Sequence, residues 1–285
     1  MNAKILYNQL GKDFVTPQMT DYNWSGIMGD MADFVCDEYK TRNMGLMCDF
    51  ADEINKVFTA VFPSDAVLKA VLNDGVQDAI IFVHHPIVWD LSKDDTKAWY
   101  DVNAELLQEM KRRKISLFNY HVPLDSFGEY STSKTLAETV GVIVKTPFIP
   151  YHGGLCGVWG YANLKNATDL NAVYSQAVGH KTKIYQYGND EIADGKIAVV
   201  AGGGNDVDVL TELVTNGINT LVTGVTRASD YTKAAHDFAK ANKINLLGGT
   251  HYSSEKYACI AMVDYFKNLG IDAEFVADEP CFEDM

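Results

Sequence analysis

Six side chains in this chain are of the types that hold divalent cations, and they fall in three short segments, each just after an apolar, strand-like run. His84 and His85 follow the run 78–83, His121 and Asp125 follow 115–120, and His251 and Glu255 follow 243–247. Four imidazoles and two carboxylates suffice for two divalent metals, and strand ends are where an α/β sheet places its ligands. Adjacent histidines in a strand point to opposite faces, but at a strand end the chain turns, so His84 and His85 can each reach a different metal. Pro86 fixes the backbone behind them and biases His85 away from helix. A carboxylate between two cations bridges them, one oxygen to each, at a metal separation of about 3.5–4 Å. Asp125 and Glu255 are the candidates for that role. His251 and Glu255 are four residues apart and share one helical turn if their helix begins early; His121 and Asp125 repeat the spacing. His121 reads either as a ligand or as a residue that orients one, and it is the candidate for moving protons.

A single histidine at a strand end is more often a hydrogen-bonded structural residue, and His152, His180 and His236 are assigned to that class. Taken alone, Asp125 or Glu255 reads equally well as a helix cap. It is the three clusters together that favour metal binding. The run Ala201-Gly-Gly-Gly-Asn205 resembles an anion cradle at a helix start, but it lacks the Lys-Ser/Thr of a phosphate loop and reads better as a tight turn. Cys156 has no basic partner to activate it and reads as a packing residue. The acidic end from Asp278 to Met285 reads as a solvated tail.

The elements that must position these residues alternate regularly from residue 55 onward. Strands are expected over 56–62, 78–83 and 115–120, with helices over 64–73, 96–113 and 133–140 between and after them; Ser64 is a plausible N-cap. Residues 1–50 contain Pro17 and the stretch 21–26 and read as an irregular lead-in. Residues 145–163 are punctuated by Pro147, Pro150 and four glycines and read as a linker, with a strand of close backbone approaches over 155–161 inside it. Strands are then expected over 181–187, 196–201, 219–222, 244–247 and 273–276, with helices over 169–178, 206–216, 228–241 and 254–269. This alternation predicts βαβ units and an α/β fold. The two halves echo each other, and the expectation is two similar α/β lobes, 1–145 and 146–285, with mostly parallel sheets facing a shared metal-binding cleft; a single intertwined unit is the alternative.

Composition narrows the class. The chain has 285 residues, 47% of them hydrophobic and 22% charged, with a formal net charge of -14. That balance argues against an extended nucleic-acid surface, which needs clustered Lys and Arg. It leaves room for a small anionic substrate, because a metal pair supplies local positive charge. No run of about 18 apolar residues is present to span a bilayer, and the first ten residues do not read as a secretory signal. Five scattered cysteines with no C-x-x-C fit a reduced, cytoplasmic protein.

These segments resemble a known family. Ile80-Ile-Phe-Val-His-His-Pro86 resembles the strand-His-His-Pro motif of the Nif-three-like dinuclear metal proteins, homologues of GTP cyclohydrolase I type 2. His121-Val-Pro-Leu-Asp125 resembles that family's His-x-x-Leu-Asp element, and Gly248-Gly-Thr-His-Tyr-Ser-Ser-Glu255 its C-terminal His-x-x-x-Glu element. Arg42-Asn-Met-Gly-Leu46, Leu155-Cys-Gly-Val-Trp-Gly160 and Val222-Thr-Gly224 resemble three further segments in the family's order. The resemblance runs from about residue 42 to the C-terminus. It implies metal ligation by His84, His85, Asp125, His251 and Glu255, with His121 beside them, and a ring-shaped hexamer. Three positions depart from the pattern: Val225 replaces the Glu of Thr-Gly-Glu, Thr250 replaces a Gly, and Arg42 replaces an Asp. None removes a ligand.

The resulting expectation is a dinuclear protein with two divalent ions per chain, drawn from Zn, Fe, Mn, Co and Ni. It would be a metal-dependent hydrolase with an activated bridging water, GTP-cyclohydrolase-like or acting on nucleotides or phosphoesters. The alternative is a non-catalytic metal-handling or regulatory interaction protein. The partners expected are a small-molecule substrate and copies of the same chain.

Overall fold

The computed structural model describes residues 1–94 and 96–285. In chain order the strands are β1 Gly45–Cys48, β2 Lys56–Ala60, β3 Ala79–Val83, β4 Val88–Trp89, β5 Trp99–Tyr100, β6 Ile115–Asn119, β7 Ile143–Tyr151, β8 Gly154–Tyr161, β9 Lys183–Tyr185, β10 Lys196–Val200, β11 Thr220–Thr223, β12 Asn245–Gly248 and β13 Asp272–Phe275. The helices are α1 Ala3–Phe14, α2 Asp37–Arg42, α3 Asp65–Asn73, α4 Ala104–Arg112, α5 Val122–Asp125, α6 Thr132–Thr139, α7 Ala167–Val178, α8 Val207–Thr215, α9 Lys233–Ala241 and α10 His251–Asn268. Two compact units result. One comprises Met1–Leu124, His152–Gly154 and Cys259–Glu279; the other comprises Asp125–Tyr151, Leu155–Ala258 and Pro280–Met285.

The first unit is built on a five-stranded sheet in the order β1-β6-β3-β2-β13. β3 and β6 are buried at every position, as parallel strands covered on both faces must be. β2, β3 and β6 run parallel in unbroken register, so Val83 lies beside Asn119 at their C-terminal ends. Ser64 caps α3 as expected, its Oγ accepting from Val67 N, a bond of the kind that contributes about 1 kcal/mol. The helix expected over 96–113 is shorter, because Trp99–Tyr100 pairs antiparallel with Val88–Trp89 and the helix starts only after the Asn103 cap. The lead-in is more regular than expected: α1, α2 and the antiparallel edge strand β1 occupy much of it. β13, expected as the last strand of the second half, pairs parallel with β2 in this first sheet.

The second unit has a six-stranded sheet in the order β7-β8-β10-β11-β12-β9. β10, β11 and β12 are parallel, while β8 and β9 lie antiparallel on their neighbours. The stretch expected to be a linker forms β7 and β8. His152 and Gly153 between them both take positive φ, 44° and 90°, as in the two-residue turns that join hairpin strands. Close approaches in β8 are as expected: a Cβ on Gly160 would sit 2.1 Å from the Ile143 carbonyl. Tyr174, Val199, Val222 and Leu247 anchor one core of this unit, and Leu210, Leu213 and Leu246 another.

Candidate metal centre

The parallel register of β3 and β6 carries the first cluster. His84 and His85 leave β3 with their backbone N–H groups donating to Ala60 O and Val61 O, so the turn is tied to the end of β2. His121 leaves β6 two residues after Asn119. All three imidazoles are buried, and one ligand atom from each lies within 4.8 Å of the others. His84 Nδ1 lies 3.0 Å from Tyr120 O. A carbonyl only accepts, so Nδ1 carries the proton and Nε2 keeps its lone pair. His121 Nδ1 lies 2.9 Å from Asp21 Oδ1, which fixes the same tautomer. Metal-binding imidazoles are commonly held this way, by a carbonyl or carboxylate on the far nitrogen. The backbone of His84 is held in turn: Asn119 Nδ2 donates to His84 O and Tyr39 Oη donates to Asn119 Oδ1.

Aromatic rings wall this cluster. Phe62 stacks on His85 with centroids 4.8 Å apart, Trp24 stands edge-on to His121 at 5.1 Å, and Trp99 lies 5.2 Å from His85. An apolar shell of this kind restricts solvent and lowers the local dielectric. Asp21 and Trp24 belong to the segment read as irregular lead-in, so the sequence reading missed both. The only signal there was an aspartate among aromatic residues.

The second unit carries His251 and Glu255. α10 begins at His251, three residues earlier than expected, which places the two side chains one turn apart with Nε2 and Oε1 separated by 3.2 Å. Both are buried. The early start has two causes. Thr250 and Ser253 exchange backbone N–H and hydroxyl bonds at 2.9 and 3.0 Å, a reciprocal cap. Asp284 Oδ2 also accepts from His251 N at 2.7 Å, a favourable charge at a helix N-terminus. The acidic end is therefore not a solvated tail. Asp284 is fully buried, and its carbonyl accepts from Thr226 N and Arg227 N.

The glycine run is a turn, as favoured from sequence, but Gly202 also has a specific task. Its φ is +67°, and a Cβ there would lie 2.2 Å from Glu255 Oε1 and 3.3 Å from His251 Nε2. Asp125 ends α5 and accepts from Thr132 Oγ1 at 2.8 Å. Cys156 behaves as a packing residue: burial, with a smaller contribution from the Asp125 charge, pushes its thiol up to about 12. The other histidines take hydrogen-bonding roles. His152 Nδ1 meets Thr20 Oγ1, His180 Nδ1 donates to Lys181 O, and His236 lies between Tyr187 Oη and Thr226 O.

The donor set fits divalent cations. Groups of buried His and Glu and half-buried Asp able to hold metal ions are present, and the imidazole–carboxylate mixture suits borderline metals. Among the described residues no helix is long and apolar enough to cross a membrane.

Residues 23–279 match the family model for Duf34/NIF3 (NGG1p interacting factor 3). A relative from Pyrococcus horikoshii named GTP cyclohydrolase 1 type 2 homolog is 28% identical over 245 residues, covering 85% of this chain and 90% of its own. A relative of the same name from Archaeoglobus fulgidus is 25% identical over 235 residues, covering 82% and 88%. Among solved structures, a structural-genomics protein of unknown function, ybgI, superposes with a TM-score of 0.72 at 17% identity, covering 98% of this chain and 100% of its own. Staphylococcus aureus hypothetical protein SA1388 superposes with a TM-score of 0.70 at 18% identity, covering 98% and 97%. At these identities the superpositions speak to the fold.

Proposed function

The chain belongs to the Duf34/NIF3 (NGG1p interacting factor 3) family, and from that premise we propose that it is a metal-dependent hydrolase with two divalent ions per chain. The ligands are His84, His85, Asp125, His251 and Glu255, and His121 is the proton-moving residue. The observation that carries this reading is the buried triad of His84, His85 and His121, in which two Nδ1 atoms are already committed to a carbonyl and a carboxylate. Such an arrangement leaves Nε2 as the working atom of both rings.

Bound divalent ions supply Lewis acidity and a water acidified toward neutral pH. The chain's own residues do the rest. Tyr120 O holds His84 in one tautomer, and Asp21 does the same for His121. The walls of Phe62, Trp24 and Trp99 exclude water beside the triad. His121 Nε2 takes or returns a proton within that apolar surround, the ordinary task of a neutral imidazole.

The substrate proposed is a small anionic molecule, with nucleotides and phosphoesters first and GTP among them. The names of the curated relatives support that class. The resemblance also supports a hexameric ring, and five cysteines, all thiols, support work in the cytoplasm.

Metal content per chain, measured by elemental analysis on untagged protein purified without added metal, tests the reading. About two equivalents are expected from a dinuclear site, with turnover in a screen of phosphoesters, nucleotides and GTP. Metal without turnover would favour the metal-handling alternative. No metal, and no uptake of Zn, Mn or Fe, would end both.

A further inference from the structure

We propose that Asp21 is a positioning residue: it locks His121 in the Nδ1–H tautomer and thereby aims Nε2 at His84 and His85. Its side chain is fully buried. Oδ1 accepts from His121 Nδ1 and Trp24 Nε1, each at 2.9 Å, and from Tyr22 N at 2.7 Å; Oδ2 accepts from Val122 N at 3.1 Å. Three of these four donors are independent of the imidazole, so the carboxylate is anchored whether or not His121 is bonded to it. The fourth contact then leaves the ring one choice of tautomer. Val122 is the next residue after His121, so Asp21 grips both the ring and the peptide beyond it, and this two-point hold sets the ring's rotation as well.

Both oxygens act only as acceptors, a role a carboxylate fills and an amide cannot. An asparagine at this position would turn its NH2 toward either Val122 N–H or the ring N–H. Asp21 also lies ahead of residues 23–279, the stretch that matches the family model. His84 offers an internal comparison, since its ring is held through the same atom but by the Tyr120 carbonyl.

The experiment uses the full chain, metal-free and labelled with [15N]histidine, at about pH 8, above the ordinary imidazole range. Multiple-bond 1H–15N spectra report the tautomer, with His121→Gln supplying the assignment. His121 is expected to show a protonated Nδ1 and an unprotonated Nε2 in the wild type and to lose that pattern in Asp21→Ala, which removes both acceptor oxygens. Trp24→Phe removes one donor to Asp21 but leaves the carboxylate, and should keep the pattern.

A protonated Nε2 in the wild type, or an Asp21→Ala protein with an unchanged tautomer, overturns the inference. Should Asp21→Ala fail to fold, Asp21→Glu retains both acceptor oxygens and must keep the Nδ1–H form; an Nε2–H form there overturns it too. The spectra are read on metal-free protein, so they do not depend on the metal-dependent function proposed above. A wild type without metal by elemental analysis, and without metal uptake, would end that function while the tautomer spectra still decide the role of Asp21.

Discussion

His152 marks the contrast between the residues proposed to hold metal and residues that resemble them only in type. Its Nδ1 meets the Thr20 hydroxyl, and its ring packs edge-on against Tyr22. Glu255, which is buried where His152 is not, sets an oxygen 3.2 Å from His251 Nε2. His152→Ala should therefore leave metal content unchanged by elemental analysis, and a clear loss would mean that the wrong histidines were chosen. If Glu255 holds both cations of the proposed pair, Glu255→Gln should weaken both metals. Loss of a single equivalent would end the bridging role while leaving Glu255 a ligand.

The turns that end the strands decide whether these side chains can work. Gly202 sits at φ +67°, where a side chain is strained by roughly 1–3 kcal/mol, and its missing Cβ is the space that Glu255 Oε1 fills. Gly202→Ala should lower the melting temperature and reduce metal content together; a variant with wild-type metal content would show that the glycine serves the turn alone. Much of this level was legible in the sequence. Buried parallel strands such as β3 and β6 are continuous apolar runs, and their ends announced His84, His85 and His121. The early start of α10 was not legible, because part of its cap comes from Asp284, 33 residues away. β7 was hidden for a different reason. It is an edge strand, where proline is tolerated, so Pro147 and Pro150 looked like linker punctuation.

On the scale of the whole chain, the first unit is completed by residues that arrive last. β13 pairs with β2, Lys56 Nζ bonds both Asp74 and Glu274 at 3.0 and 3.3 Å, Thr59 Oγ1 donates to Cys259 O, and Tyr265 Oη donates to Asp13. Phe266 is fully buried beside Phe82. A fragment of residues 1–124 should thus stay unfolded in water by circular dichroism and NMR, while the full chain folds. A native-like, cooperatively melting fragment would show that β13 and the end of α10 are dispensable. Pairing across such separations leaves no local pattern, so alternation alone assigned β13 to the half in which it is written. Asp21 was hidden in the same way, being 100 residues from His121.

The two tethered imidazoles differ in how they can change over generations. His84 is held by the main-chain carbonyl of Tyr120, and no codon encodes a carbonyl. Substitution at Tyr120 leaves that acceptor in place, so the ring's orientation is heritable as geometry. His121 is held by a side chain, which one nucleotide change can convert to an amide. The first imidazole is thus buffered against mutation and the second is exposed to it, so drift or selection acting on this centre has its readiest point of entry at position 21.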